Sequence, residues 1–117
     1  MPTEAEEQIL LATWLGKMGI RFYAIPNGGK RDYLEAAKLK RCGTSAGVPD
    51  ICIPLPSGPY HGLYIELKRA SGGKASNHQI DWLNYLRNNN YYAEICHGFD
   101  EAKIVVLHYL SLTPKAA

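Results

Sequence analysis

Asp50-Ile51-Cys52-Ile53-Pro54-Leu55 and Leu63-Tyr64-Ile65-Glu66-Leu67-Lys68 are two short runs of branched and aromatic residues, separated by the turn-rich Pro56-Ser57-Gly58-Pro59 segment and its neighbours. Each run reads as a strand, and together they read as an antiparallel hairpin. Side chains alternate along a strand, so Ile51, Ile53 and Leu55 are expected on one face, with Asp50 and Cys52 on the other. In the second run Leu63, Ile65 and Leu67 share a face, leaving Tyr64, Glu66 and Lys68 opposite. Cross-strand pairing of the two polar sides would bring Asp50, Glu66 and Lys68 together.

Working outward, Thr3 followed by Glu6 forms a capping box, and Ile9, Leu11, Ala12, Leu15 and Met18 then recur at helical spacing until Gly19. Ile20 to Ile25 reads as a strand, broken by the turn Pro26-Asn27-Gly28-Gly29. Arg31 to Arg41 favours a short basic helix with Leu34, Ala36, Ala37 and Leu39 as its apolar positions, and Gly43 sits where a left-handed C-cap is wanted. After the hairpin, Ser71 to Ala75 is a Gly-rich loop. Ser76 with Gln79 forms a second capping box, opening a helix through Ile80, Trp82, Leu83 and Leu86 that ends near Asn88-Asn89-Asn90. A strand from Tyr91 to Cys96 follows. Gly98-Phe99-Asp100 then introduces a closing helix through Ile104, Val105, Leu107 and Leu110, and residues 111–117 form an expected flexible tail. This order predicts an α/β fold: a mixed four-stranded sheet with helices on its faces and a right-handed parallel crossover near the end.

The chain has 117 residues, 46% hydrophobic and 21% charged, which fits one folded domain over 1–117. No apolar stretch reaches the roughly 20 residues that span a bilayer, and the acidic start is unlike a secretory leader, so a cytoplasmic location is expected. Cys42, Cys52 and Cys96 are odd in number and widely spaced, with neither a CxxC pair nor a zinc-finger pattern. The four histidines are scattered as well, which argues against a His-based metal site. The net charge is only +2, but Arg21, Lys30, Arg31, Lys38, Lys40 and Arg41 cluster before Pro49 against Asp32 and Glu35 alone. Such a patch suits nucleic-acid phosphates, and it also suits an ordinary solvated helix face.

Two carboxylates ~4 Å apart repel by about 4 kcal/mol at an effective dielectric near 20, so a converged Asp50 and Glu66 must take up a proton or bind a cation. Mg²⁺ is the natural occupant, being a hard ion that takes one or two carboxylates plus waters and substrate phosphate. Lys68 could orient the attacking water or steady the transition state. The bland alternative is that Glu66 and Lys68 lie on the solvated side of an antiparallel sheet.

The motifs resemble those of a known family. Glu4 and Gln8 on the first helix, the Pro26-Asn27-Gly28-Gly29 turn, Ala37-Lys38-Leu39-Lys40, Gly47-Val48-Pro49-Asp50, Tyr64-Ile65-Glu66-Leu67-Lys68 and Ser76-x-x-Gln79-x-x-Trp82-Leu83 together look like a stand-alone VRR-NUC protein. This is the virus-type replication and repair nuclease module of the PD-(D/E)xK superfamily. Asn88-Asn89-Asn90 stands where that family commonly has a glycine.

The resemblance implies a restriction-endonuclease-like, Holliday-junction-resolvase-like core. It implies a Mg²⁺-dependent endonuclease, with Mn²⁺ able to substitute, acting on DNA in replication, recombination or repair. Asp50, Glu66 and the Leu67 backbone carbonyl would hold metal, Lys68 would serve the attacking water, and a first-helix glutamate would join them directly or through water. Glu4 is preferred for that place because Glu4, Gln8, Leu11 and Leu15 fall on one stripe expected to face inward, with Glu7 at its edge. Equally, any acid in a first turn complements the helix dipole. Gln79 has two readings, as a cap for Ser76 or as a catalytic residue pointing into the site. Gly47 suits a positive φ or a close backbone approach, and also a plain loop.

Lys30, Arg31, Lys38, Lys40, Arg41, Arg69 and Lys74 are the expected DNA-gripping cations. Stand-alone members resemble Holliday-junction resolvases, which implies a homodimer on branched DNA, and the compact form points to a phage gene. The main alternative is a non-cleaving nucleic-acid-binding domain that keeps the nuclease fold; a hydrolase of small phosphate esters is a third.

Overall fold

The structure, a computed structural model, describes residues 1–26 and 32–112. The turn residues Asn27, Gly28 and Gly29, the cations Lys30 and Arg31, and the last five positions of the expected tail lie outside the described residues.

Among the described residues four helices and four strands follow one another in the expected order: α1 (Glu4–Lys17), β1 (Tyr23–Ala24), α2 (Tyr33–Arg41), β2 (Ile51–Ile53), β3 (Leu63–Lys68), α3 (Asn77–Asn88), β4 (Tyr92–His97) and α4 (Phe99–Leu110). The sheet order is β1-β2-β3-β4. β1 and β2 are antiparallel, as are β2 and β3, while β3 and β4 run parallel. A parallel pair cannot be joined by a tight turn, and α3 makes the crossover.

The helix ends form where the sequence places them. Thr3 accepts from the Glu6 N–H, and Ser76 and Gln79 make a reciprocal capping box. Asp32 Oδ1 accepts from the Glu35 N–H at 2.7 Å, which starts α2 at Tyr33. Gly43, at φ 106°, ends it through a left-handed turn. Asn90, at the turn into β4, adopts φ 66°, a conformation asparagine tolerates better than most residues.

The apolar alternation of the hairpin builds the main core. Ile51, Ile53, Leu63, Ile65 and Leu67 pack with Leu11 and Leu15 of α1 and Ala102, Val106 and Tyr109 of α4. Each buried Leu or Ile contributes roughly 1.5–3 kcal/mol. On the other face α3 sets Leu83 and Leu86 against Ala93, with Tyr64, Trp82 and Ile95 around them. The polar sides of β2 and β3 therefore face the α3 layer.

Four expectations are corrected. β1 is two residues long instead of six, because it is an edge strand paired to the short β2, and Pro26 follows closely. β2 ends at Ile53, since Pro54 has no N–H for the ladder, and Leu55 is exposed instead of continuing the buried row. Ile9 and Met18 of α1 face solvent; the buried line is Glu7, Leu11 and Leu15. Finally, α2 buries none of its residues, and Leu34 is 78% exposed. Among the described residues no helix is long and apolar enough to cross a membrane.

Candidate active site

Pairing of Ile51 with Ile65 and of Cys52 with Tyr64 sets the register. One step further along the same ladder Asp50 faces Glu66, and directly opposed residues share a face of the sheet. Asp50 is anchored there: its Oδ2 accepts from the Leu67 N–H at 2.7 Å. A buried Pro49 leads into it.

Glu66 is 2% exposed and Lys68 7% exposed, so neither lies on a solvated sheet face. The Lys68 ammonium is 3.6 Å from Glu66 Oε2. Gln79 caps its helix and also reaches the neighbouring ammonium and carboxyl. Its Oε1 accepts from the Ser76 N–H at 2.9 Å and from Lys68 Nζ at 2.8 Å. Its Nε2 donates to Glu66 Oε2 at 3.3 Å. The capping box that starts α3 thus also fixes the side chain that joins Glu66 to Lys68.

Burial pushes the Glu66 carboxyl up to about 8, and the negative charge of Asp50 adds to the rise. Lys68 opposes it, and Glu4 raises it a little further. Removing a carboxylate from water costs several kcal/mol unless partners replace the lost hydration. Glu66 is only half compensated, because its buried Oε1 has no hydrogen-bond partner. An unpaired acceptor oxygen next to a second carboxylate is the kind of donor a hard cation takes. Among the described residues no three His, Cys, Asp or Glu side chains gather into a donor cluster.

Glu4 is exposed in the first turn of α1, not on an inward stripe; the buried line runs through Glu7, Leu11 and Leu15. It is still close enough for its charge to act on Glu66. Glu7, expected at the edge of the stripe, is 6% exposed and committed elsewhere. Its Oε1 accepts from the Phe99 N–H at 3.3 Å. Gly98 provides no side-chain cap for α4, so Glu7 supplies one from another helix.

Two glycines allow close approaches around these residues. Gly47 has φ 90°, and a Cβ there would lie 2.5 Å from the His78 carbonyl carbon, so the loop before Asp50 touches the backbone beside Gln79. Gly73, not singled out from the sequence, lies over Lys68: an added Cβ would come within 2.9 Å of the Lys68 Cβ. Its place in a Gly-rich run was the only available signal. Lys38, Lys40, Arg41, Arg69 and Lys74 are all exposed. The first three project from α2, and the last two flank the end of β3 and the loop to α3.

A family model for the VRR-NUC domain matches residues 2–100. A solved structure named VRR_NUC domain protein superposes with a TM-score of 0.86 at 30% identity, covering 97% of this chain and 93% of that one. No curated protein matches. With the hairpin, the crossover and the paired carboxylates in place, the family match extends over nearly the whole chain, and the protein belongs to the VRR-NUC family, whose fold is of the nuclease type.

Proposed function

We propose that the protein is a Mg²⁺-dependent endonuclease of the PD-(D/E)xK type that hydrolyses DNA phosphodiester bonds. The observation that carries this reading is the buried Glu66 carboxyl, with one oxygen unpartnered, beside the charge of Asp50 and 3.6 Å from the Lys68 ammonium. In this reading residues 1–117 are one nuclease domain.

Asp50, Glu66 and the Leu67 carbonyl would hold the divalent ion, with Glu4 acting directly or through water. When bound, the ion would acidify a coordinated water and neutralise charge growing on phosphorus. The chain's own residues do the rest. Lys68, held by Gln79, presents N–H donors to the attacking water and to the developing negative oxygen. Gln79 bonds to both members of the Glu66–Lys68 ion pair and so would fix their orientation. The Leu67 N–H holds Asp50 in one orientation. Lys38, Lys40, Arg41, Arg69 and Lys74, with Lys30 and Arg31, would grip phosphates and position the strand without reading its bases.

Within this proposal the preferred substrate is branched DNA, the assembly is a homodimer with paired sites, and the setting is the cytoplasm, in replication, recombination or repair. The test is cleavage of four-way, flap and linear duplex DNA with Mg²⁺ or Mn²⁺, alongside a solution mass measurement. Cleavage that needs the ion and favours branched substrates supports the full reading. Equal cleavage of all three removes the branched-DNA preference, and DNA binding without cleavage under any divalent ion favours the non-cleaving alternative.

A further inference from the structure

Ser45 and Trp82 both line three adjoining depressions between the loop that follows α2 and the outer side of α3. One, of about 540 Å³, is walled by Ser45, Asp81, Trp82, Asn84, Tyr85 and Asn88. A second, of about 530 Å³, runs from Trp82 past His78 to Lys40 on α2. The third reaches Ile25 and Val48, just ahead of Asp50. The near end of the groove, at Ile25, lies by the Asp50 backbone through the Ile25 N–H bond to the Asp50 carbonyl, and the groove follows α3 from there.

We propose that this groove receives an unpaired nucleobase of the nucleic-acid substrate, an inference that rests on the nuclease reading. Asp81, Asn84, Tyr85 and Asn88 are spaced to share one helical stripe, opposite the buried Leu83 and Leu86. The stripe mixes ring faces with hydrogen-bonding groups. Trp82 and Tyr85 meet edge to face at 5.6 Å, and Tyr85 is 59% exposed. Trp82 is held in place by the bond from its Nε1 to Ser45 Oγ at 3.3 Å. A fixed indole beside an open phenol is a stacking surface, and every base has a face to place on it.

The polar groups sort base from phosphate. Asp81 accepts hydrogen bonds and repels anions, so it suits the amino edge of a base, and the amides of Asn84 and Asn88 both donate and accept. Lys40, at the far side of the groove, gives a phosphate its cation. A base inside a duplex has both faces and its pairing edge occupied, so only an unpaired one can enter. Such a pocket beside the scissile site selects DNA with an unpaired nucleotide next to the cut.

The test uses the full chain in EDTA, where cleavage is prevented, with a single-stranded thymidine oligonucleotide carrying one 2-aminopurine and the same probe in a perfect duplex. The single strand should lose fluorescence on binding through stacking, and the duplex should not. Tyr85→Ala, at an exposed helix position that does not support the core, should weaken single-strand binding roughly tenfold while leaving duplex binding within about twofold. Trp82→Phe, which keeps the packing of α3, should weaken it in the same sense. Unquenched probe, or unchanged single-strand affinity in Tyr85→Ala, overturns the proposal. If that failure occurs while wild type still cuts DNA with Mg²⁺, the groove assignment falls and the nuclease reading survives. If quenching is seen but no divalent ion supports cleavage, the nuclease reading falls and the groove remains a nucleobase site.

Discussion

The Lys68 ammonium donates to Gln79 Oε1 at 2.8 Å, and the same oxygen accepts from the backbone N–H of Ser76. A residue that starts a helix is thereby also bonded to Lys68, and its amide nitrogen reaches Glu66. Gln79→Ala is expected to lower kcat/KM about 10- to 100-fold, in line with the loss of a group that orients another. Lys68→Ala is expected to cost more, about 100- to 1,000-fold, with DNA binding retained. Initial-rate measurements on one substrate rank the two.

Glu66 provides the pH dependence. Its folded-state value, about 8, lies above the ordinary carboxylate value of 4.5. Between those pH values the folded, metal-free protein holds a proton that the unfolded chain has released, so the contribution to stability is full below about 4.5 and is lost as pH rises towards 8. Thermal melts in EDTA should show Tm falling across that window. A divalent ion competes with the proton, so Mg²⁺ should raise Tm more at pH 8 than at pH 5. A Mg²⁺ effect that does not grow with pH contradicts the assignment.

Glu4 and Glu7 separate by readout. Glu7→Ala removes the cap from α4 and leaves the Phe99 N–H unpaired, so it should cost about 1–2 kcal/mol of stability while metal affinity is kept. Glu4→Gln should do the reverse, leaving urea unfolding unchanged and weakening metal binding several-fold. Denaturation curves paired with a metal titration of both variants check this.

Gly47→Ala places a methyl group against the His78 backbone and also strains a positive φ. A loss of about 1–3 kcal/mol in stability is expected. Activity should fall by more than the folded fraction accounts for, because the first turn of α3 carries Gln79. Activity per folded molecule, with folding followed by circular dichroism, is the relevant measurement.

The hairpin was the most legible part of the sequence, because alternation in Leu63 to Lys68 leaves no choice about which side chains face the core. The caps at Thr3 and Ser76 were legible for a similar reason: short polar side chains at those positions have a definite backbone partner. Glu7 was not, since an acid in a first turn looks the same whether it complements a dipole or reaches another helix. The length of β1 depended on its neighbour, for Tyr23 and Ala24 pair only with residues of the three-residue β2. The exposure of α2 was hidden because Leu34 and Leu39 satisfy a helical pattern whether or not anything covers them. Gln79 was ambiguous in sequence because a capping box and a clamp on Lys68 call for the same residue.

The central claim is that Asp50 and Glu66 share one divalent cation. Titrating Mn²⁺ into wild type and into Glu66→Gln, and reading free ion by electron paramagnetic resonance, tests it without reference to any substrate. A saturable site in wild type that is weakened at least tenfold in Glu66→Gln is the predicted result. Equal binding by the two proteins, or none by wild type at pH 8, would contradict it.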